Sequence, residues 1–231
     1  MSALLTPRRR RGIELLDDPS VPAEVMTRSM KDVERANYVF GGLRAALAEL
    51  ESAFSEVHGS ATMLDVGTGA GDIAESAHEI AKRRGVALKT IGLDSSEVLL
   101  RRHRVRNDSA VVGSALQLPF ADRSVDFVMC SQLLHHFPEP DAVTVIREMN
   151  RVARVRVVIS DIRRSWIAAG GLWLASFVLG FTSVSRHDGV VSVMRGFLPQ
   201  ELAGLVESAI GRPNAPRRRL GFRVTTSWKP Q

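Results

Sequence analysis

The sequence predicts an α/β fold built as a doubly wound, mostly parallel sheet, and three observations carry that prediction. The first is Met63-Leu-Asp-Val-Gly-Thr-Gly-Ala-Gly-Asp-Ile-Ala74, an apolar run that ends in spaced glycines and passes directly into a helical pattern. This is the form of a strand, a tight turn and a helix start. The second is the recurrence of short continuous apolar runs, at 89–94, 111–112, 125–130 and 155–161, separated by amphipathic segments. Strands apolar on both faces that alternate with helices imply a parallel sheet covered on both sides. The third is scale: 231 residues, 45% hydrophobic and 24% charged, suit one domain with a core of its own.

Taken in order, residues 1–20 are a basic tract expected to be a flexible tail. The tract lacks the apolar stretch of a secretory signal, and Glu14, Asp17 and Asp18 sit poorly in an organelle transit peptide. Residues 21–58 read as two helices, since Val33, Ala36, Phe40, Leu43, Leu47 and Leu50 recur at helical spacing and Gly41-Gly42 interrupts them. Arg35, Asn37 and Tyr38 are expected on the turn between the two. After the glycine turn a helix over 73–84 ends at Gly85, where glycine takes the left-handed cap. Ser95 or Ser96 can cap a helix running to Arg106, and Pro138 with Pro140 opens another across Val143, Ile146, Met149 and Val152. A helix from Pro199 to about Ile210 follows, and the alternation over 220–228 suits an antiparallel closing strand.

The glycine turn also carries information about its ligand. A dinucleotide fingerprint wants glycine where Asp72 stands, because a pyrophosphate rests on the N–H groups at the helix start. Here Asp65 and Asp72 bracket Gly67, Gly69 and Gly71, and carboxylates repel phosphate. They suit a ligand with positive charge and no phosphate, such as S-adenosylmethionine with its sulfonium and ammonium. Asp94 ends the second apolar run, 27 residues after Gly67, where an acid can accept from ribose hydroxyls.

Four blocks in this order, at 63–74, 89–94, 111–120 and 124–137, resemble the class I S-adenosylmethionine-dependent methyltransferases, particularly the small-molecule branch with the ubiquinone/menaquinone-biosynthesis methyltransferases. The resemblance implies a Rossmann-like, seven-stranded sheet with an N-terminal helical cap and a lid helix insertion, and S-adenosyl-L-methionine as cofactor. It implies one methyltransferase domain over 21–231, with the cap at 21–58, the cofactor-binding core at 61–161 and a substrate lid region at 162–198. Carried over by position, Asp65, Gly67, Thr68, Gly69 and Gly71 line the methionine part of the cofactor, and Asp94 holds its ribose. Ser95 falls at the adenine edge, Ser114 and Ala115 beside the base, and Gln132 near the transferring methyl. Many relatives have an acid where Ser114 stands, and a hydroxyl accepts more weakly. Relatives also commonly enter the fifth strand through a proline and two glycines, which are absent before Val155, so that turn must differ.

Formal charge is +6 with a pI of about 10.3, and arginine supplies nearly all of it, the only lysines being Lys31, Lys82, Lys89 and Lys229. A basic balance can mark a nucleic-acid or anionic membrane partner. The arginines, however, are dispersed through 8–11, 101–106, 151–156 and 217–219, without interleaved aromatics to stack bases. A solvated arginine-rich surface is favoured; an RNA methyltransferase and a non-catalytic cofactor-binding module with the same fold are the alternatives. The single cysteine, Cys130, lies in an apolar strand pattern, as a core residue of a cytoplasmic protein would. No metal site is expected, and the chain is expected to be a monomer or homodimer.

Ligands of an open parallel sheet lie beyond the carboxyl ends of its strands. That brings Gln132, His135 and His136, after the fourth strand, and Asp161, Arg163 and Arg164, after the fifth, to one cleft. The apolar stretch 166–181 is shorter than the roughly 20 residues that span a bilayer, and Gly170-Gly171 interrupts it. It is read as a lid helix over a greasy pocket, with a buried helix or an interfacial, at most peripheral, membrane contact as the other readings. A polar loop over 185–189 is expected to return over the cleft. His187, beside Asp188, and His135 and His136 are candidates for the base that deprotonates a phenol of pKa about 10. Asn37, Tyr38, Asp161, Arg164, Trp173 and Arg195 are candidates for holding the acceptor. The expected reaction is methylation of a small apolar acceptor, phenol, polyketide or quinone-like, with O-methylation favoured over C-methylation.

Overall fold

A computed structural model of the chain describes residues 6–10, 12–18, 20–102 and 106–231. Among these residues the strands are β1 (Gly59–Val66), β2 (Val86–Asp94), β3 (Ser109–Val112), β4 (Val125–Ser131), β5 (Ala153–Ile162), β6 (Arg217–Arg219) and β7 (Arg223–Trp228). They form one seven-stranded sheet in the order β3-β2-β1-β4-β5-β7-β6. The pairs from β3 to β5 are parallel, whereas β7 runs antiparallel to β5 and to β6. The order reverses between β1 and β4, and such a switch point leaves a crevice at the carboxyl ends of the two strands.

Alternation along the central strands feeds two cores. Leu64 and Val66 of β1, Val128 and Cys130 of β4, and Val157 and Ile159 of β5 pack under α5 (Glu139–Val152) and α8 (Pro199–Ile210). Their neighbours Met63, Phe127, Met129 and Val158 pack under α2 (Gly42–Phe54) and α3 (Asp72–Arg83). Each large apolar side chain so buried contributes about 1.5–3 kcal/mol, which fixes the strand register and with it the loops above. Cys130 is fully buried in this core.

Several local expectations are met. Gly85 closes α3 with φ +71°, and Ser96 Oγ accepts from Leu99 N–H at 3.4 Å at the start of α4 (Glu97–Arg102). The continuation of that helix over 103–105 lies outside the described residues. No loop separates α5 from β5: Val152 ends the helix, Ala153 begins the strand, and the Ala153 N–H still donates to Met149 O. The proline and two glycines of relatives therefore have no turn to build here.

The structure differs elsewhere. Arg35, Asn37 and Tyr38 are not on a turn, because α1 (Ala23–Val39) runs through all three and only Phe40 and Gly41 separate it from α2. Residues 185–189 are not a loop but the first half of α7 (Ser183–Arg195), whose N-terminus Thr182 caps by accepting from Ser185 N–H at 3.0 Å. A Cβ on Gly189 would lie 2.9 Å from Leu172 Cδ2, so this glycine serves the close approach of α7 to α6 (Trp166–Val178). Strand β6 was not foreseen, since three successive arginines show no apolar alternation. On an exposed edge their charge keeps another chain from pairing. Within the segment read as a flexible tail, described residues lie along α7: Arg10 N–H donates to Met194 O at 3.2 Å, and Leu15 and Leu16 N–H groups donate to Asp188 at 2.8 and 2.9 Å.

Many arginines are tied to acids across elements, among them Arg154 to Asp126, Arg156 to Glu56, Arg164 to Glu201 and Arg219 to Glu49. Those guanidiniums tie neighbouring elements together. Among the described residues no helix is long and apolar enough to cross a membrane.

Candidate active site

At the switch point a cavity of about 790 Å³ opens beyond the ends of β1 and β4, between the glycine turn and the helices α1, α6 and α7. Gly67, Gly69 and Gly71 take φ of +72°, +50° and +73°, the left-handed region that glycine enters without penalty. A Cβ on Gly67 would fall 2.7 Å from Leu133 Cδ1, while one on Gly69 would meet nothing within 4 Å. The turn is thus packed behind and open in front.

Its amides are already engaged. Gly67 and Thr68 N–H groups donate to Leu93 O at 2.7 and 3.0 Å, Gly69 N–H to Asp94 Oδ2 at 3.0 Å, and Gly71 N–H to Thr68 O at 2.8 Å. Carboxylates surround them: Asp65, Asp72 and Asp94 all line the cavity. Burial pushes the Asp65 carboxyl up to about 7; the Thr68 hydroxyl, donating at 2.8 Å, opposes this, and the charges of Asp72 and Asp94 add to it. Burial also raises Asp72, against a hydrogen bond from Asn37 and with help from Glu34. A ligand with positive charge relieves this crowding, whereas a diphosphate would meet three carboxylates. The residues present therefore suit a cationic nucleoside.

Beside the turn, Gln132 holds φ +52°, a strained conformation for a side chain with a Cβ. Its amide nitrogen donates to Asn37 Oδ1, and its Oε1 accepts from Arg223 Nη1 at 2.8 Å. Asn37 in turn donates to Asp72 Oδ2 at 3.4 Å, which links α1, β4 and β7 to the turn. Burial lowers the Arg223 guanidinium to about 10, with the Asp161 charge acting against it.

Residues 64–159, which run from β1 to β5, match the family model described as a methyltransferase domain. That stretch resembles the class I S-adenosylmethionine-dependent methyltransferase domains. It is 36% identical over 94 residues to demethylmenaquinone methyltransferase of Thermotoga maritima, covering 40% of this chain and 38% of that protein. It is 33% identical over 108 residues to methyltransferase GfsG of Streptomyces halstedii, covering 43% of this chain and 37% of that one. The matched part thus spans well under half the length of these curated relatives. The fold as a whole is similar to that of magnesium protoporphyrin IX methyltransferase from Synechocystis, solved with S-adenosylhomocysteine (TM-score 0.58, 14% identity, 86% of this chain and 87% of that chain).

The residues singled out from the sequence are placed unevenly around the cavity. Asp65, Gly67, Thr68, Gly69, Asp94, Ser95 and Gln132 line the cavity, as do Asn37, His135 and His136. Ser114 and Ala115 stand apart from its lining, Ser114 Oγ instead accepting from Leu116 N–H at 3.2 Å. Tyr38 is 77% exposed and points away. Trp173 is half exposed, edge-on to Phe177 on the outer side of α6. Arg164 is buried in a strut to Glu201, Gly196 O and Pro7 O. Arg195 binds Glu14, Asp17 and Gly12 O, which pins the 12–18 segment to α7. His187 is outside the lining, its Nδ1 2.8 Å from Asp188 Oδ1. Asp161 is also behind the wall: it lies 2.7 Å from His135 Nδ1, and although burial raises it, the His135 ring and the Ile162 N–H hold it below the usual carboxylate range.

Glu14, Asp17, Asp188 and Arg223 line or support the cavity and were not singled out. For Glu14 and Asp17 a signal existed, two acids three residues apart flanking Leu15 and Leu16 in an otherwise basic tract. Arg223 gives none, being one arginine among many.

Proposed function

We propose that the protein is an S-adenosylmethionine-dependent methyltransferase for a small, fairly apolar acceptor of the phenol, polyketide or quinone-like class, acting on oxygen in preference to carbon. The observation that carries this reading is a carboxylate-ringed turn with engaged amides facing an apolar helical cap across one cavity. When bound, the cofactor supplies an electrophilic methyl group on a sulfonium. Asp65 and Asp72 suit its positive charge, Asp94 its ribose hydroxyls, and Arg223, which forms no ion pair among the described residues, suits its carboxylate. Gln132, clamped by Asn37 and Arg223, keeps the adjoining corner fixed. Fixed geometry matters because well-aligned intramolecular reactions reach effective molarities on the order of 10⁵–10⁸ M.

Across the cavity, Ile167, Leu172, Phe181 and Val193 exclude water and favour a flat apolar partner. His135 and His136 make the polar end that meets an acceptor hydroxyl, the feature that favours oxygen. The name of the Thermotoga relative supports a small-molecule acceptor and suggests the quinone-like class. The buried lone thiol of Cys130 supports a cytoplasmic setting. Incubation with methyl-labelled cofactor and a panel of phenols, naphthoquinols and polyketide lactones is expected to move label into an acceptor. Failure to bind the cofactor in equilibrium dialysis, even at millimolar concentration, would contradict the reading.

A further inference from the structure

The wall opposite the glycine turn contains a donor set that the cofactor does not use. His135 Nδ1 lies 2.7 Å from Asp161 Oδ1, and His136 Nδ1 lies 3.2 Å from Asp17 Oδ1. A carboxylate only accepts, so in a neutral His135 Nδ1 carries the proton and Nε2 presents a lone pair; His136 Nδ1 lies between Asp17 and Arg195 Nη1, 3.3 Å away, and its Nε2 presents a lone pair when Nδ1 donates to Asp17. Both Nε2 atoms turn towards one carboxylate: His135 Nε2 is 3.9 Å from Glu14 Oε1, and His136 Nε2 is 3.9 Å from Glu14 Oε2. His135 Nε2 has no hydrogen-bond partner, although its side chain is only 2% exposed. Three electron-pair donors from three residues therefore face one another, all within 4.8 Å. Such an arrangement offers a cation three ligand atoms at once.

The wider charge balance points the same way. Glu14, Asp17, Asp161 and Asp188 gather at this end of the cavity; Arg195 pairs with Glu14 and Asp17, and Arg223 feels the charge of Asp161. Arg195 and Ser192 both bind Glu14 Oε1, at 3.0 and 2.8 Å, which orients the carboxylate. We propose that Glu14, His135 and His136 bind a divalent first-row transition-metal ion, with Asp161 and Asp17 holding the two rings from behind. Two imidazole nitrogens and one carboxylate suit zinc, cobalt, iron or manganese over magnesium or calcium. Carboxylates behind metal-bound histidines fix the tautomer and strengthen the ligand. Three protein ligands leave a coordination position open, and all three residues line the cavity. An ion there would hold an acceptor oxygen, a role that rests on the methyl-transfer reading, whereas the binding itself does not.

The test is titration of the full chain, stripped with a chelator, with Co²⁺ in the absence of cofactor and acceptor. Visible absorption and equilibrium dialysis are expected to give one equivalent per chain, displaced by Zn²⁺. His136→Ala and Glu14→Gln should each weaken binding at least about tenfold while circular dichroism and cofactor affinity stay unchanged; His136 is part-exposed, so its loss leaves the core intact. Absence of stoichiometric binding, or undiminished binding in the two variants, overturns the proposal and leaves a protonated His136 between Asp17 and Glu14 to neutralise the cluster. Since no cofactor is present, neither result bears on methyl transfer.

Discussion

The two walls of the cavity are built on different terms. The wall beside β1 consists of backbone turns and carboxylates at the ends of adjacent parallel strands, all within residues 65–96 and 131–133. The wall opposite it is assembled from pieces far apart in sequence: Glu14 binds Arg195 across 181 residues, and Asp32 accepts from Thr182 N–H across 150. One wall is dictated by what a chain can do locally at a tight turn. The other exists only when distant segments meet, so it is free to vary with the acceptor while the first stays tied to the cofactor.

The sharpest way to break that contrast is at the turn. Gly67→Ala asks a side chain to hold φ +72°, at about 1–2 kcal/mol, and drives its Cβ into Leu133, at about 1–3 kcal/mol more. Thermal melting should fall sharply and calorimetric cofactor binding should vanish; retention of both would mean that the turn is not the rigid element described.

Next in size is Asp65. Its folded carboxyl, at about 7, lies above the unfolded value of 3.8, so the ligand-free protein is favoured by this group below about pH 4 and loses that contribution as pH rises towards 7. Cofactor affinity should do the opposite, rising from about pH 6 to about pH 8 as the carboxylate ionises to meet the cation. In Asp65→Asn that rise should flatten, with affinity at the upper pH reduced roughly tenfold or more, about 1.4 kcal/mol. A wild-type affinity that falls over the same interval would contradict the assignment.

On the opposite wall, Gly189→Ala presses on Leu172, a flexible side chain that can yield, so the expected cost is about 1 kcal/mol of stability. Steady-state kinetics should show a raised KM for the acceptor with cofactor binding unchanged. An equal effect on both ligands would show the walls to be one mechanical unit. Smallest of all, Trp173→Ala on the outer side of α6 should change stability by less than about 0.5 kcal/mol in urea melts and leave kinetics alone. A larger effect would mark that exposed face as more than a solvent surface.

The same contrast explains what could be read from the sequence. The strands other than β6, α3 with its Gly85 cap, and α8 from Pro199 to Ile210 follow local periodicity and punctuation, and they appear close to where those rules put them. The acids around the turn were legible because strand ends and helix starts converge at a switch point. Residues 185–189 were not, since polar residues around a glycine look like a loop until α6 supplies Leu172 for that glycine to meet. Tyr38, Trp173 and His187 carried the right chemistry but face outward, because the face that each of α1, α6 and α7 turns inward is set by how these helices pack on one another. Glu14 and Arg223 reach the site through long-range pairing, which no local window contains.

The central claim is that the carboxylates and engaged amides of the turn select a cationic donor over a phosphorylated one. Calorimetry of the same preparation with S-adenosylmethionine and with NAD⁺, at about pH 8, tests it most directly. The account predicts saturable binding of S-adenosylmethionine and no heat with NAD⁺. Binding of NAD⁺ with comparable or greater affinity would contradict it.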